Sequence, residues 1–245
     1  MGQPVKVVVG VPSEGHAPVA AYDNRMLWAF HLGKFEEQSK GKFEFYWNTC
    51  GRMFVPMARE ILAEAAVGLG ADFIHFVDDD MIVPTDLFEK LYSHFSDPTV
   101  SIVGALAFTR NHPHYPVIYS CKEGWDSIAR EEYFINEYVL NYPRNTLVEC
   151  DAVGFGSVLI RTSVLAKMKK PWFMSSQGTG EDILFSYKCK REAKGRVFMD
   201  TSVKLGHIGD PRIITEETFD ETHKDKKFQD IYGDYKGPGV VFNGK

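Results

Sequence analysis

Cysteine is scarce in this chain: Cys50, Cys121, Cys150 and Cys189 are the only four in 245 residues, and no two form a Cys-x-x-Cys pair. Such spacing excludes a disulfide framework or a thiolate zinc site and reads as reduced, structural thiols in a cytoplasmic protein. No apolar run is long enough to span a bilayer, and no signal-peptide pattern opens the chain. Positive charge is not in excess either. Lys and Arg number 28 against 33 Asp and Glu, and the net charge of −5 argues against general nucleic-acid binding while leaving room for a local basic pocket. The loop after the first apolar run lacks Gly-x-Gly-x-x-Gly and Gly-Lys-Ser/Thr, so neither a dinucleotide site nor a P-loop is indicated. Repeats and low-complexity segments are absent.

What remains is the composition of an ordinary globular enzyme, 44% hydrophobic and 25% charged, with enough chain for a sizeable core. Val5–Pro12 is a β-branched run stopped by Gly10 and Pro12. An amphipathic stretch follows, with Met26, Phe30 and Gly33 on the face expected to turn inward. Lys42–Asn48 alternates as a strand, and Pro56 opens a helix whose apolar stripe runs Met57, Ala58, Ile61, Leu62, Ala65, Ala66, Leu69. Phe73–Val77 is a buried strand, Pro84 opens a helix with Leu87, Phe88, Leu91 and Phe95 inward, and Thr99–Phe108 is a further strand. The first 108 residues therefore read β-α-β-α-β-α-β, a three-layer α/β arrangement of largely parallel strands. From Arg110 to Cys150 short alternating runs suggest a mixed, partly antiparallel region. Ala152–Arg161 reads as a strand, Glu181–Ala193 as a helix, and Arg196–Met199 and Ser202–His207 as two strands, with a charged, partly mobile tail after Asp210.

Four features carry the chemistry. Asp78-Asp79-Asp80 follows the apolar strand directly, and three adjacent anions need compensating charge. If the backbone stays extended, Asp78 and Asp80 face one way and Asp79 the other, which offers two carboxylates to one hard cation; the alternative is an acidic surface turn. Arg59, with Arg52 nearby, either meets phosphate oxygens or is an ordinary solvated arginine. Thr179-Gly180-Glu181-Asp182 is either a capping box, with Asp182 reaching back to the Thr179 amide, or a general base at a helix N-terminus. His207, between Gly206 and Gly209, is either a hydrogen-bonded core histidine or a metal ligand.

In this order the features resemble a glycosyltransferase of the GT-A fold, closest to the inverting family 2 type. The resemblance covers roughly residues 5–209 and rests on Val11-Pro12, Gly70-Ala71-Asp72 leading into Phe76–Met81, Gly154 and Gly156, Pro171-Trp172-Phe173, Glu181-Asp182 and Gly206-His207. It implies a three-layer α/β/α, Rossmann-like nucleotide-diphospho-sugar transferase fold with a mixed central sheet. The catalytic domain would span 1–209, residues 1–108 as the nucleotide half and 109–209 as the acceptor half, with 210–245 a C-terminal tail. It also implies transfer of one sugar from a nucleoside-diphosphate sugar to the hydroxyl of a glycan or other acceptor, with Mn²⁺ or Mg²⁺ as cofactor. Asp80, Asp78 and His207 would hold the metal. Pro12, Glu14, Arg59, Asp78, Asp79 and Gly156 would contact the donor. Asp182, beside Glu181, would be the base, and Ser157 and Trp172 would face the acceptor. No Gln-x-x-Arg-Trp is found near the C-terminus, which favours a single addition over polymerisation. Two rivals are a nucleotidyltransferase and a binding module without catalysis; against the first, Val11–Gly15 holds no basic residue to cradle a triphosphate.

Overall fold

A computed structural model describes residues 2–126, 131–176, 178–209 and 213–224 of the chain. The β-branched N-terminal run forms β1 (Val5–Ser13), and Pro18 then sets the entry to α1 (Val19–Gln38). Strand β2 (Phe43–Gly51) returns parallel to β1, with Val5 opposite Phe43. Helix α2 (Val55–Gly68) has Pro56 in its first turn, where a missing N–H costs nothing. It leads through Gly70, at φ 67°, into β3 (Phe73–Val77), all five of whose residues are buried. The chain then makes β4 (Met81–Ile82), α3 (Leu87–Ser93), a 3₁₀ turn and β5 (Val100–Leu106).

The second half is β6 (Ile118–Asp126), β7 (Glu131–Tyr138), β8 (Leu147–Cys150), β9 (Ala152–Val153) and β10 (Ser157–Arg161). Helix α4 (Glu181–Lys188) runs on into a π-helical turn, and β11 (Arg196–Lys204), β12 (Gly206–Ile208), β13 (Ile213–Ile214) and α5 (Glu216–His223) complete the described chain.

Seven strands make the central sheet in the order β2-β1-β3-β10-β5-β11-β8. β1, β2 and β3 are parallel, and β11 is parallel to β5, while β10 runs antiparallel to both its neighbours and β8 runs antiparallel to β11. One sheet face packs Val7, Val9 and Val103 against Trp28, Leu32, Leu87 and Phe88 of α1 and α3. The other packs Val8, Ile74, Phe76 and Ile102 against Leu62 and Ala66 of α2 and Phe185 of α4. Each such fully buried large side chain contributes about 1.5–3 kcal/mol. Two three-stranded sheets, β13-β12-β4 and β7-β6-β9, flank the carboxyl ends of β3 and β5.

The mixed three-layer architecture is the expected one, and several details differ. On α1 the inward residues are Ala21, Arg25, Trp28 and Leu32; the anticipated Met26, Phe30 and Gly33 face outward. On α2 the inward face turns by one position to take in Arg59 and Ala63, leaving Met57 and Ile61 exposed. Ala152–Arg161 is two strands, because β9 pairs with β6 in a small sheet and β10 enters the central one; Gly154 between them lies so close to Val117 that a Cβ would come within 2.5 Å of it. Arg196–Lys204 is one strand where two were expected. Past Asp210, Ile214 and Phe219 belong to the core, so β13 and α5 are part of the packed body; residues 225–245 of the anticipated tail lie outside the described residues. Among the described residues no helix is long and apolar enough to cross a membrane.

Candidate active site

The carboxyl ends of β1, β3 and β5 open on one edge of the sheet, where α/β folds bind ligands. A cleft of about 210 Å³ lies there, lined by Pro12, Ser13, Glu14, His16, Asp78, Asp79, Asp80 and Arg110. A larger hollow of about 480 Å³ sits near the start of β3, lined by Val5, Phe73, Tyr92 and Trp172 among others. Its charged members are already engaged: Asp72 accepts the Lys6 N–H and Arg161 donates to the Val100 and Phe95 carbonyls. The smaller cleft is where the chemistry-bearing side chains converge.

Strand β3 stops at Val77, so Asp78–Asp80 form a turn and the alternation of an extended chain does not apply. The three carboxylates instead point to three different partners. Asp78 accepts from Arg59 Nη2 at 2.8 Å. Asp79 accepts from the Ser13 hydroxyl, while its carbonyl takes Arg25 Nη1 at 2.5 Å. Asp80 Oδ2 lies 3.1 Å from His207 Nε2 and 3.4 Å from Arg110 Nη1. Each anion of the triplet thus has its own compensating contact, which is how the fold tolerates three in a row.

Arg59 is 2% exposed, not solvated. Its Nε donates to Glu181 at 3.0 Å and its plane lies 5.3 Å from the rings of both Phe76 and Phe155. One guanidinium therefore ties the acidic turn to the first residue of α4, and its Nη1 is buried without a partner. Burial, only partly offset by Arg59, pushes the Asp78 carboxyl up to about 6. Arg59 is buried behind the cleft and does not line it.

The capping box anticipated at Thr179 is not formed. Gly180 is the cap residue with no side-chain bond, Asp182 Oδ1 accepts the Ile183 N–H at 2.8 Å, and Thr179 Oγ1 accepts from Asn136 Nδ2 at 3.0 Å. Asp182 is half-buried, and burial together with the neighbouring Glu181 raises its carboxyl to about 7. Burial, and after it the nearby Asp182, raises the Tyr119 hydroxyl of β6 well above its ordinary value, and its ring is 5.0 Å from that of Tyr138.

His207 is only 15% exposed at its side chain and bridges two elements. Its Nδ1 is 2.7 Å from the Phe108 carbonyl, which can only accept, so Nδ1 carries the proton. In the neutral ring Nε2 then presents a lone pair to Asp80 Oδ2, and two acceptors face each other at 3.1 Å. A shared proton or a bound cation resolves that contact. An imidazole nitrogen beside a carboxylate also suits a divalent ion of the Mn²⁺ type, so this pair fits the group. Among the described residues no three His, Cys, Asp or Glu side chains form a ready cage, because Asp78 is turned to Arg59.

Comparison with known proteins places the fold. No protein-family model and no curated protein matches the sequence. Among solved structures the chain is similar to A197 from STIV, with a TM-score of 0.57 and 20% identity over 87% of this chain and 91% of that one. The two share a fold. A putative glucose-1-phosphate thymidylyltransferase from Bacillus anthracis, in complex with a sucrose, gives a TM-score of 0.43 and 10% identity over 82% and 89%. An apo UDP-glucose pyrophosphorylase gives 0.47 and 8% over 90% and 98%, and likenesses this faint say nothing of chemistry. The fold is the anticipated α/β one with a mixed central sheet, and it is shared with A197.

The remaining anticipated residues divide. Pro12 and Glu14 line the cleft. Gly156 supports it from below: its carbonyl accepts the Asp78 N–H, and a Cβ there would come within 2.9 Å of Met81 Cε. Ser157 and Trp172 are not brought to it. Ser157 is fully buried with its hydroxyl 3.0 Å from His75 Nε2, and Trp172 sits in the core with its indole N–H on the Leu165 carbonyl. Ser13, His16, Arg25, Arg110 and Asn136 are the site's unanticipated members. Ser13 and His16 flank Glu14 in the first loop, so proximity was their signal; Arg25, Arg110 and Asn136 gave none.

Proposed function

We propose that this protein is a metal-dependent glycosyltransferase that moves one sugar from a nucleoside-diphosphate sugar to an acceptor hydroxyl, with Asp182 as general base and inversion at the anomeric carbon. The observation that carries the reading is the Asp78–Arg59–Glu181 bridge. It couples an acidic turn suited to a cation-bound diphosphate with a helix N-terminus presenting a carboxyl of pKa about 7. A base whose pKa matches the working pH is half ionised there and takes a hydroxyl proton most effectively.

Asp80 and His207 would hold the metal, with Asp78 available to it once Arg59 yields. A hard dication bound there supplies Lewis-acid neutralisation of the nucleoside diphosphate as it leaves. Pro12, Ser13, Glu14 and Asp79 would border the base and ribose, and the exposed Arg110 would meet phosphate oxygens. Asp182, held by the Ile183 N–H, would take the acceptor proton on the side of the β6–β7 hairpin, where Tyr119, Tyr138 and Asn136 converge. Solvent is kept from the back of the site by Phe76, Phe155 and Phe185, all buried. The test is a panel of nucleotide-sugars incubated with Mn²⁺, reading released nucleoside diphosphate and the configuration of the transferred sugar. Release of pyrophosphate from a nucleoside triphosphate and a sugar phosphate would instead identify a nucleotidyltransferase.

A further inference from the structure

Helix α1 is apolar on two opposite faces. Its inward face, Ala21, Arg25, Trp28 and Leu32, is buried on the sheet. Its flanks are also engaged: Asn24 pairs with the Val83 backbone, His31 with Glu89, and Glu36 accepts the Phe45 N–H on β2, the terminal strand of the central sheet. The outer face is open, with Val19 76%, Tyr22 54%, Leu27 63% and Phe30 64% exposed. A second apolar stripe on the solvent side of a helix already packed against its own sheet is surface of the kind that marks an interaction site. The outer residues fall into two adjacent seams at 4-3-4 spacing, Asp23-Leu27-Phe30-Lys34 and Tyr22-Met26-Ala29-Gly33, the pattern of helices that pack lengthwise.

We propose that this face pairs with α1 of a second copy of the chain, antiparallel about a two-fold axis passing between Trp28 and Ala29. The charges select that partner. Asp23 and Lys34 are both exposed and stand equally far from the axis, so each Asp23 meets Lys34 of the second copy, and Leu27 meets Phe30 of the second copy between those pairs. The 20-residue helix offers a contact about 30 Å long. Ala29 and Gly33 let the two helix axes approach closely. A bilayer fits less well: the outer face carries Asp23 and Glu37 against Lys34, and the chain has a net charge of −5, where membrane-surface helices carry a basic polar face.

Sedimentation velocity of the full chain over a range of concentrations tests this, with circular dichroism melting of every variant to show that the fold is kept. The parent is expected to sediment as a dimer, and Leu27→Glu/Phe30→Glu as a monomer that keeps the parent's circular dichroism spectrum and a cooperative melt, lowered only by the stability that association lends. Asp23→Lys is expected to weaken the dimer by about tenfold. Lys34→Asp added to it restores the affinity, because the charge pattern is then inverted and again self-complementary. A parent that stays monomeric, a dimer indifferent to these variants, or flotation of the parent with phosphatidylserine vesicles lost in Leu27→Glu/Phe30→Glu would each overturn the proposal.

Discussion

Replacing Arg59 by methionine keeps most of the side-chain volume between Phe76 and Phe155 and removes the charge. The loss leaves Asp78 and Glu181, held at 2.8 Å and 3.0 Å by one guanidinium, without a counter-ion. Removing one member of a buried ion pair costs about 3–5 kcal/mol. The Asp78 side chain is 28% exposed, so solvent screens part of that loss and about 3 kcal/mol is the expected value. For a chain of this size that lowers Tm by about 10 °C. The deficit has a sign in pH. Asp78 is already raised to about 6 with Arg59 present, and without it the carboxyl rises further above its unfolded value. The folded variant then holds a proton the unfolded chain has released, so its stability falls as pH increases. Urea denaturation at pH 5 and pH 8 with a chelator present should show the larger deficit at pH 8. Arg59→Met/Asp78→Asn/Glu181→Gln should recover most of it, because no uncompensated charge remains. A deficit that is independent of pH, or below about 1 kcal/mol, would refute the view of Arg59 as the buried counter-ion of both carboxylates.

Three further substitutions probe the site. Transfer should accelerate as pH rises through about 7, where Asp182 loses its proton, and Asp182→Asn should cost about 10²–10⁴-fold in rate while nucleoside-diphosphate affinity is kept. Since that carboxyl titrates above its unfolded value, its ionisation weakens the fold between about pH 4 and 7, and Asp182→Asn should melt above the parent at pH 8. Gly156→Ala places a methyl 2.9 Å from Met81 Cε, next to Asp80, and should destabilise by about 1–2 kcal/mol. Shortening the partner with Met81→Ala should make the glycine replacement nearly free, as read by a double-mutant cycle in urea.

The sequence marked the framework well because its strands are short β-branched or aromatic runs ending in Gly, Pro or acid, and β1, β2, β3 and β5 lie where those runs stand. Periodicity found the apolar stripe Met26-Phe30-Gly33 but not its direction. α1 carries a second stripe through Trp28 and Leu32, and only tertiary packing decides between them. A related ambiguity hid Arg59. Charge at a helix position reads as solvent-facing until a structure supplies the two aromatic rings and two carboxylates that make burial tolerable. The acidic triplet and His207 were legible as candidates, and the structure brings Asp80 and His207 together across 127 residues. Division of labour within the triplet was not legible, since alternation assumes a strand and β3 ends at Val77, before the first of the three. Trp172 was ambiguous because an aromatic beside proline suits either a sugar face or a core; the structure buries it away from the acidic cleft, with its indole N–H on the carbonyl of Leu165 in the preceding 3₁₀ turn.

The measurement that bears most directly on the proposed chemistry is calorimetric titration of nucleoside diphosphates into the protein with and without Mn²⁺, in the parent and in Asp80→Ala. Binding is expected only with the metal, and Asp80→Ala should abolish it while leaving the melting temperature within a few degrees of the parent. Binding of equal strength without metal, or an isotherm untouched by Asp80→Ala, would contradict the assignment of the Asp78–Asp80 turn and His207 as the seat of a metal-bound diphosphate.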